Sequence, residues 1–353
     1  AVLVVLVLGV QSGLERTSWF ALPVLALMFL ILVVRALFLD GAMDGLNAFF
    51  TPDFAALGDP QVWLAAYSQI FFSLSIAFGI MITYSSYLSR RSDLSSTGLV
   101  AAFANSSFEL LAGIGVFATL GFMAFQQSLA VDDLEGIAGV SLSFITFPQV
   151  ISMMPGGPVF GVLFFGSLVL AGFTSMVSIA QVVIAAVNEK FRLGRAVSTI
   201  VVVGVCGTIS VLLFATTSGL FTLDTVDKFI NEIGIVLSAV AMTVLVSLGL
   251  RRLPVLQRHL NAVSTFQVGG WWRVLVGIVI PLVLVVMLAT TVGTLIGDGY
   301  EGYPTWFLTS LGWGAVAFAV VVAAVLTLLP WRNDVDDFVP DDAAGEPAGE
   351  ARP

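Results

Sequence analysis

Three apolar stretches of this chain carry oxygen-bearing side chains where a bilayer or a hydrophobic core would ordinarily exclude them. QVWLAAYSQIFFSLSIAFGIMITYSSYL at 61–88 holds Gln69, Ser73 and Ser75, with Gly79 beyond. FANSSFELLAG at 103–113 holds Asn105 and Glu109, four apart and so on one face of a helix. AGFTSMVSIAQ at 171–181 holds Thr174, Ser175 and Ser178. Hydroxyl, carboxamide and carbonyl oxygens suit a hard cation such as sodium. Each stretch also has a plainer reading. Serines bond back to the preceding helical turn, and small or hydroxylated residues pack membrane helices together. Ser73 and Ser75 are two apart and cannot share one helical face. The helix therefore either breaks there, freeing backbone groups, or runs on; the spacing leaves both open. A carboxylate such as Glu109 is costly in a membrane and marks a functional site by default.

Other chemistries are excluded. The single cysteine, Cys206, rules out a disulfide framework within the chain or a thiolate metal cluster, and the single histidine, His259, argues against a zinc site. No phosphate-binding glycine loop or nucleophile triad occurs. An enzyme would need a reactive constellation, and Cys206, His259 and Glu109 lie on separate segments. Hydrophobic residues make up 58% of the 353 and charged residues only 10%, against about a quarter charged in a soluble domain. The bilayer is therefore the main solvent. The net charge of -9 is concentrated at one end, because residues 334–353 hold seven acids and one arginine. That acidic, Pro- and Gly-rich tail is expected to be disordered and to disfavour nucleic acid and anionic lipid as its own partners.

The elements that must position these oxygens are apolar runs near 17–38, 61–88, 97–125, 158–187, 196–217, 230–250, 272–297 and 305–329, each long enough to span. Residues 1–10 are too short, and the chain is expected to start inside a helix of a longer protein. Arg16, Arg90 and Arg91, then Lys190, Arg192 and Arg195, then Arg251, Arg252 and Arg258, and finally Arg332 fall in every second connection. The alternate connections carry Asp40, Asp44, Asp53 and Asp59, then Asp132, Asp133 and Glu135, then Asp224 and Asp227, then Asp298 and Glu301. The basic set is cytoplasmic by the positive-inside bias, which places the tail there too. Trp271-Trp272-Arg273 reads as an interfacial anchor. Residues 126–157 contain an apolar helical spacing (Phe144, Phe147, Val150, Ile151) too short to span. It reads either as a hairpin dipping toward the protein or as a surface amphipathic helix.

Taken together, the three oxygen-bearing segments resemble the neurotransmitter:sodium symporter family, whose bacterial members carry amino acids. GLERTSWFALP at 13–23, PDFAALGDPQVWLAAYSQIFF at 52–72 and FITFPQ at 144–149 support the resemblance, which covers residues 1–330. A broken helix at 61–88 is a feature of that family and comes with the resemblance. So does the expected fold: two inverted five-helix repeats followed by two further helices. By the resemblance the chain starts late in the family's fourth helix. The second repeat is then complete, and the first and third helices, which carry much of the ligand set in relatives, fall outside the chain.

The resemblance implies roles residue by residue. Phe72, Ser73, Ser75, Phe78, Ser175 and Ile179 match positions lining the substrate pocket, with Phe72 as an aromatic lid. Ser73 and Asn105 match ligands of a first sodium site. Ala171, through its carbonyl, Thr174 and Ser175 match ligands of a second. Ser73 stands where some bacterial relatives have Thr, keeping the hydroxyl. Ala77 stands where those relatives have Gly, adding a methyl at the pocket. Glu109 stands where chloride-dependent members have Ser, so its carboxylate would replace the anion. Asp227 matches the outer-gate acid, and Tyr87 and Glu189 match positions near the inner gate.

The expectation is an all-α polytopic membrane protein of the inverted-repeat symporter fold, with a transmembrane region over 1–333 and a cytoplasmic tail over 334–353. Its function would be chloride-independent symport of an amino acid or related small amine with sodium, at two sites, across the cell membrane. Its partners are the substrate, sodium and the lipid bilayer. The rival is a scaffold or receptor of the same fold that does not transport. Intact cation ligands separate the two.

Overall fold

A computed structural model describes residues 2–8, 16–89, 91–134 and 142–331. Arg90, Glu135, Arg332 and the acidic tail lie outside the described residues, as does the side chain of Arg16. No strand occurs among the described residues. Among the described residues, seven helices are long and apolar enough to cross a membrane. They are α2 (Arg16–Ala36), α6 (Leu94–Gln127), α8 (Gly157–Phe191), α9 (Arg195–Phe214), α10 (Gly219–Gly249), α12 (Gly270–Gly297) and α13 (Thr305–Leu328). Shorter helices are α1 (Val2–Leu8), α3 (Ala42–Phe50), α7 (Leu142–Met153) and α11 (Leu253–Val263).

The expected span at 61–88 is divided into α4 (Pro60–Ser73) and α5 (Ile80–Ser85). Asp59 caps α4 by accepting from the Gln61 amide at 2.9 Å. The helix stops because Ser75, Ala77 and Gly79 all turn to positive φ, at 50°, 65° and 79°. Only glycine adopts that region without strain, so Ser75 and Ala77 each cost of order 1–2 kcal/mol. Gly79 has a further constraint, since a Cβ there would lie 2.9 Å from Val182 Cγ1 of α8. Together the two helices make about 30 Å of rise, enough to cross the hydrocarbon core.

Packing divides the helices into bodies that share α8 and the break. Ala118, Phe122, Val150 and Phe164 lie in one apolar core built from α2, α3, α6, α7 and α8. Gly45 and Gly121 let α3 and α6 cross backbone to backbone, since a Cβ on either would overlap the other helix. Leu6, Val177, Ile184 and Val202 join α1 and α9 to α8. Phe229, Ile233, Leu295, Leu308 and Val316 join α10, α12 and α13. Leu64, Phe71 and Ala77 pack α4 and the break onto Val236, Ala239, Leu284 and Met287 of α10 and α12, whereas α5 lies against α8.

The segment before α8 settles one open reading. α7 is inserted into the protein, with Thr146, Val150 and Ile151 buried and Phe147 stacked on Phe164 at 4.8 Å. Phe144, expected on the same inward face, is exposed instead. A wide π turn over Leu142–Thr146 rotates it out of register with the helix that follows.

Hydrogen bonds tie the helix ends and loops together. Asp93, the N-cap of α6, accepts from the Ser96 amide and from the Thr265 amide beyond α11, while Ser264 Oγ accepts from the Ser95 amide. Lys190 at the end of α8 donates to the Leu329 carbonyl at 2.9 Å and sits 4.6 Å over the Trp331 ring. On the opposite side, Tyr300 and Tyr303 both donate to the Asp224 carboxylate.

Candidate functional site

A cavity of about 1200 Å³ opens where α4 breaks. The break supplies Phe72, Ser73, Ser75 and Phe78, and α8 supplies Thr174, Ser175, Ser178 and Ile179. Asp227 and Asn231 of α10 also line it, as do Tyr84 of α5 and Tyr87 just past the end of that helix. Trp19, Leu22 and Pro23 of α2 form a further wall. Of the candidate residues named from sequence, Asn105, Glu109, Ala171 and Glu189 do not line it.

At the break, Ser73 Oγ bonds back to the Ile70 carbonyl at a long 3.4 Å. Among the described residues no amide bonds to the carbonyls of Ser73, Leu74, Ile76 or Ala77. Such acceptors, hydrated or ligated, are what a broken membrane helix offers a cation. The aromatic rings of Phe72 and Phe78 meet edge to face, centroids 6.3 Å apart, so one wall is apolar while the backbone beside it is polar.

On α8, Thr174 Oγ1 donates to the carbonyls of Leu170 and Ala171 at 3.1 and 3.0 Å. The Ala171 carbonyl, although outside the cavity lining, is therefore within one hydroxyl of it. Ser175 lies beside Thr174, is exposed and lines the cavity. All these oxygens are neutral, which matches a monovalent cation better than a divalent one that demands carboxylates.

Asn105 and Glu109 face α4. Gln69 Nε2 donates to Glu109 Oε1 at 3.2 Å. One turn farther into the membrane on both helices come Ser73 and Asn105. The Asn105 amide nitrogen is buried without a partner, which is rare for a buried donor and points to an unfilled bonding role. Asp227 accepts from Asn231 Nδ2 at 2.8 Å. Glu189 is exposed at the end of α8 and makes no ion pair among the described residues.

Sequence reasoning missed two cross-helix rungs. Tyr84 donates to Ser178 Oγ at 2.8 Å, and Gln181 Nε2 donates to the Tyr87 hydroxyl at 2.7 Å. Arg195 in turn donates to Gln181 Oε1 at 3.5 Å. The signal was present in the equal spacing of Tyr84 on α5 and Tyr87 just past its end, and of Ser178 and Gln181 on α8. Three residues apart in each segment, they make two facing stripes.

Seven apolar helices among the described residues, a broken eighth, and a cavity at the break that sets hydroxyl and backbone oxygens against apolar walls define a multi-pass membrane protein organised around that cavity. The profile of the sodium:neurotransmitter symporter family matches residues 1–334, and the chain belongs to that family, whose members are symporters and not enzymes. It is 36% identical over 326 residues to an uncharacterized sodium-dependent transporter of Methanocaldococcus jannaschii, covering 92% of this chain and 65% of that protein. It is 34% identical over 192 residues to one of Haemophilus influenzae, covering 54% and 40%. It is 28% identical over 312 residues to the sodium- and chloride-dependent glycine transporter 2 of Xenopus laevis, covering 86% and 38%. The chain thus spans less than two thirds of the length of each of these relatives.

Proposed function

We propose that this chain carries the broken-helix half of a sodium-coupled symporter for an amino acid or related small amine, working across the cell membrane without chloride. The observation that carries the reading is the strained break at Ser75 and Ala77. It opens unbonded carbonyls into a cavity whose facing wall is Thr174 and Ser175. Strain of this kind persists where function needs the conformation. In this reading Ser73 and Asn105 bind one sodium ion, and the Ala171 carbonyl, Thr174 and Ser175 bind a second. The substrate's polar end meets the break, and its apolar end rests on Phe72, Phe78 and Ile179. The names of relatives include a glycine transporter and a neutral and basic amino acid transporter, which supports the amino-acid class. Asp227 and Asn231 then bound the outer entrance, Tyr87 and Glu189 the inner one, and the basic helix ends and the tail face the cytoplasm.

Coupling follows from linkage. Sodium and substrate both stabilise the state in which the break is closed around them, so a sodium gradient shifts that population and drives uptake. The test is uptake of a panel of radiolabelled amino acids into proteoliposomes holding the full-length protein, with sodium or choline outside. Sodium-dependent accumulation of a panel member supports the reading. Sodium binding without uptake of any of them would favour a scaffold or receptor that does not transport.

A further inference from the structure

Residues 251–273 hold four of the chain's 14 basic side chains and no acid, in a protein of net charge -9. They form the end of α10, all of α11 and the first turn of α12. Leu253 is buried against Gly277, which brings Arg251 and Arg252 beside the start of α12, where Arg273 lies. Arg258 projects from α11 between them in sequence. All four arginines are exposed, and among the described residues none pairs with a carboxylate. The nearest acid in the network, Asp93, has both oxygens engaged by Ser96 and Thr265.

The segment is held rigidly. Gln257 and Asn261 both donate to the Val268 carbonyl, and Asn261 accepts from the Val268 amide. Ser264 and Thr265 are tied to the start of α6. What this fixed loop presents outward is mixed: the arginines together with the exposed apolar and aromatic side chains of Leu256, Phe266 and Trp271. A soluble anion would use only the first set. A phospholipid at the interface uses both, because its phosphate meets the guanidinium groups while the rings sit at headgroup level.

We propose that residues 251–273 are a docking surface for anionic phospholipid headgroups of the cytoplasmic leaflet, with Arg251, Arg252, Arg258 and Arg273 as the phosphate-binding side chains. The leaflet follows from the orientation given above; the binding itself does not depend on transport. A polyanion such as nucleic acid is disfavoured by the seven acids of residues 334–353 on the same side and would leave the exposed Leu256, Phe266 and Trp271 unused.

The test uses the full-length protein in detergent, mixed with equal amounts of phosphatidylglycerol and phosphatidylcholine, repurified, and its bound lipid counted by mass spectrometry. Phosphatidylglycerol should be retained in excess, and the excess should shrink with added salt. Replacing the arginines by Gln should weaken retention by about fivefold for each one removed, whereas Lys228→Gln on the opposite face should not. The Arg→Lys variant of all four positions guards against misfolding and should keep most of the excess. Equal retention of both lipids would overturn the proposal, as would a Gln variant that binds like the wild type. Complete displacement by millimolar inorganic phosphate would assign the site to a soluble anion instead.

Discussion

Gln69 and Glu109 meet at 3.2 Å across two helices that run in opposite directions, so a carboxylate within the membrane is held by an amide donor instead of a cation. On the proposed reading, that carboxylate is left to offset a cation bound beside Ser73 and Asn105 one turn away. In a low dielectric such an offset is worth far more than in water.

Glu109→Ser should therefore make uptake respond to chloride. The substitution removes a fixed charge and opens an anion-sized space, so activity should fall in gluconate and recover in part when chloride is restored. Wild-type uptake should be equal in the two buffers. The measurement is sodium-driven uptake by both proteins in each anion; a wild type that needs chloride would sink the idea.

Thr174→Val should weaken sodium dependence while leaving the protein folded. The hydroxyl that bonds the Leu170 and Ala171 carbonyls is replaced by a methyl of similar shape. Losing one ligand should cost about 1–3 kcal/mol, or about tenfold to a hundredfold in sodium affinity. Uptake against sodium concentration reads this directly, and an unshifted curve would remove Thr174 from the site.

Gly79→Ala should destabilise the break. Its φ of 79° strains any other residue, and a Cβ 2.9 Å from Val182 Cγ1 would force the Val182 side chain or α5 to shift. The strain alone is about 1–2 kcal/mol, and the melting temperature of detergent-purified protein should drop. Gly98→Ala, inside α6 where no neighbour lies within 4 Å of the added carbon, is the control that should not lower it, since alanine favours a helix over glycine.

Asp93 gives a pH signature. Hydrogen bonds from the Thr265 and Ser96 amides hold its carboxyl well below the usual carboxylate range. A group depressed in the folded state stabilises above its unfolded value, about 3.9, and loses that contribution as pH falls below it. The stability gap between wild type and Asp93→Asn should thus be largest at neutral pH and narrow below about pH 4. A gap that widened on acidification would contradict the sign.

Much of the helix layout was legible because apolar length is a local quantity. The runs at 97–125 and 158–187 fall inside α6 and α8, and α4 and α5 occupy 61–88. The break itself was half legible. Ser73, Ser75 and Gly79 raised it, but Ser75 and Ala77 are residues that ordinarily continue a helix, and only tertiary packing holds them at positive φ. The outward turn of Phe144 and the π turn at Ile230–Ile235 of α10 depend on hydrogen-bond register, which side-chain type does not encode. The Tyr84–Ser178 and Tyr87–Gln181 rungs join residues 94 apart, so nothing in either segment alone could pair them.

The different moorings of α4 and α5 make the six residues between them a mechanical joint. α4 is fixed to α10 and α12 through Leu64 and Phe71, and α5 to α8 through Tyr84 and Tyr87. If these two bodies slide or tilt against each other, hydrogen-bonded turns resist the change, and the torsions of residues 74–79 absorb it. The carbonyls of Leu74, Ile76 and Ala77 are set by those torsions. Oxygen spacing at the break is therefore a gauge of how far apart the two bodies stand, and an ion that insists on one spacing would act as a latch on their separation.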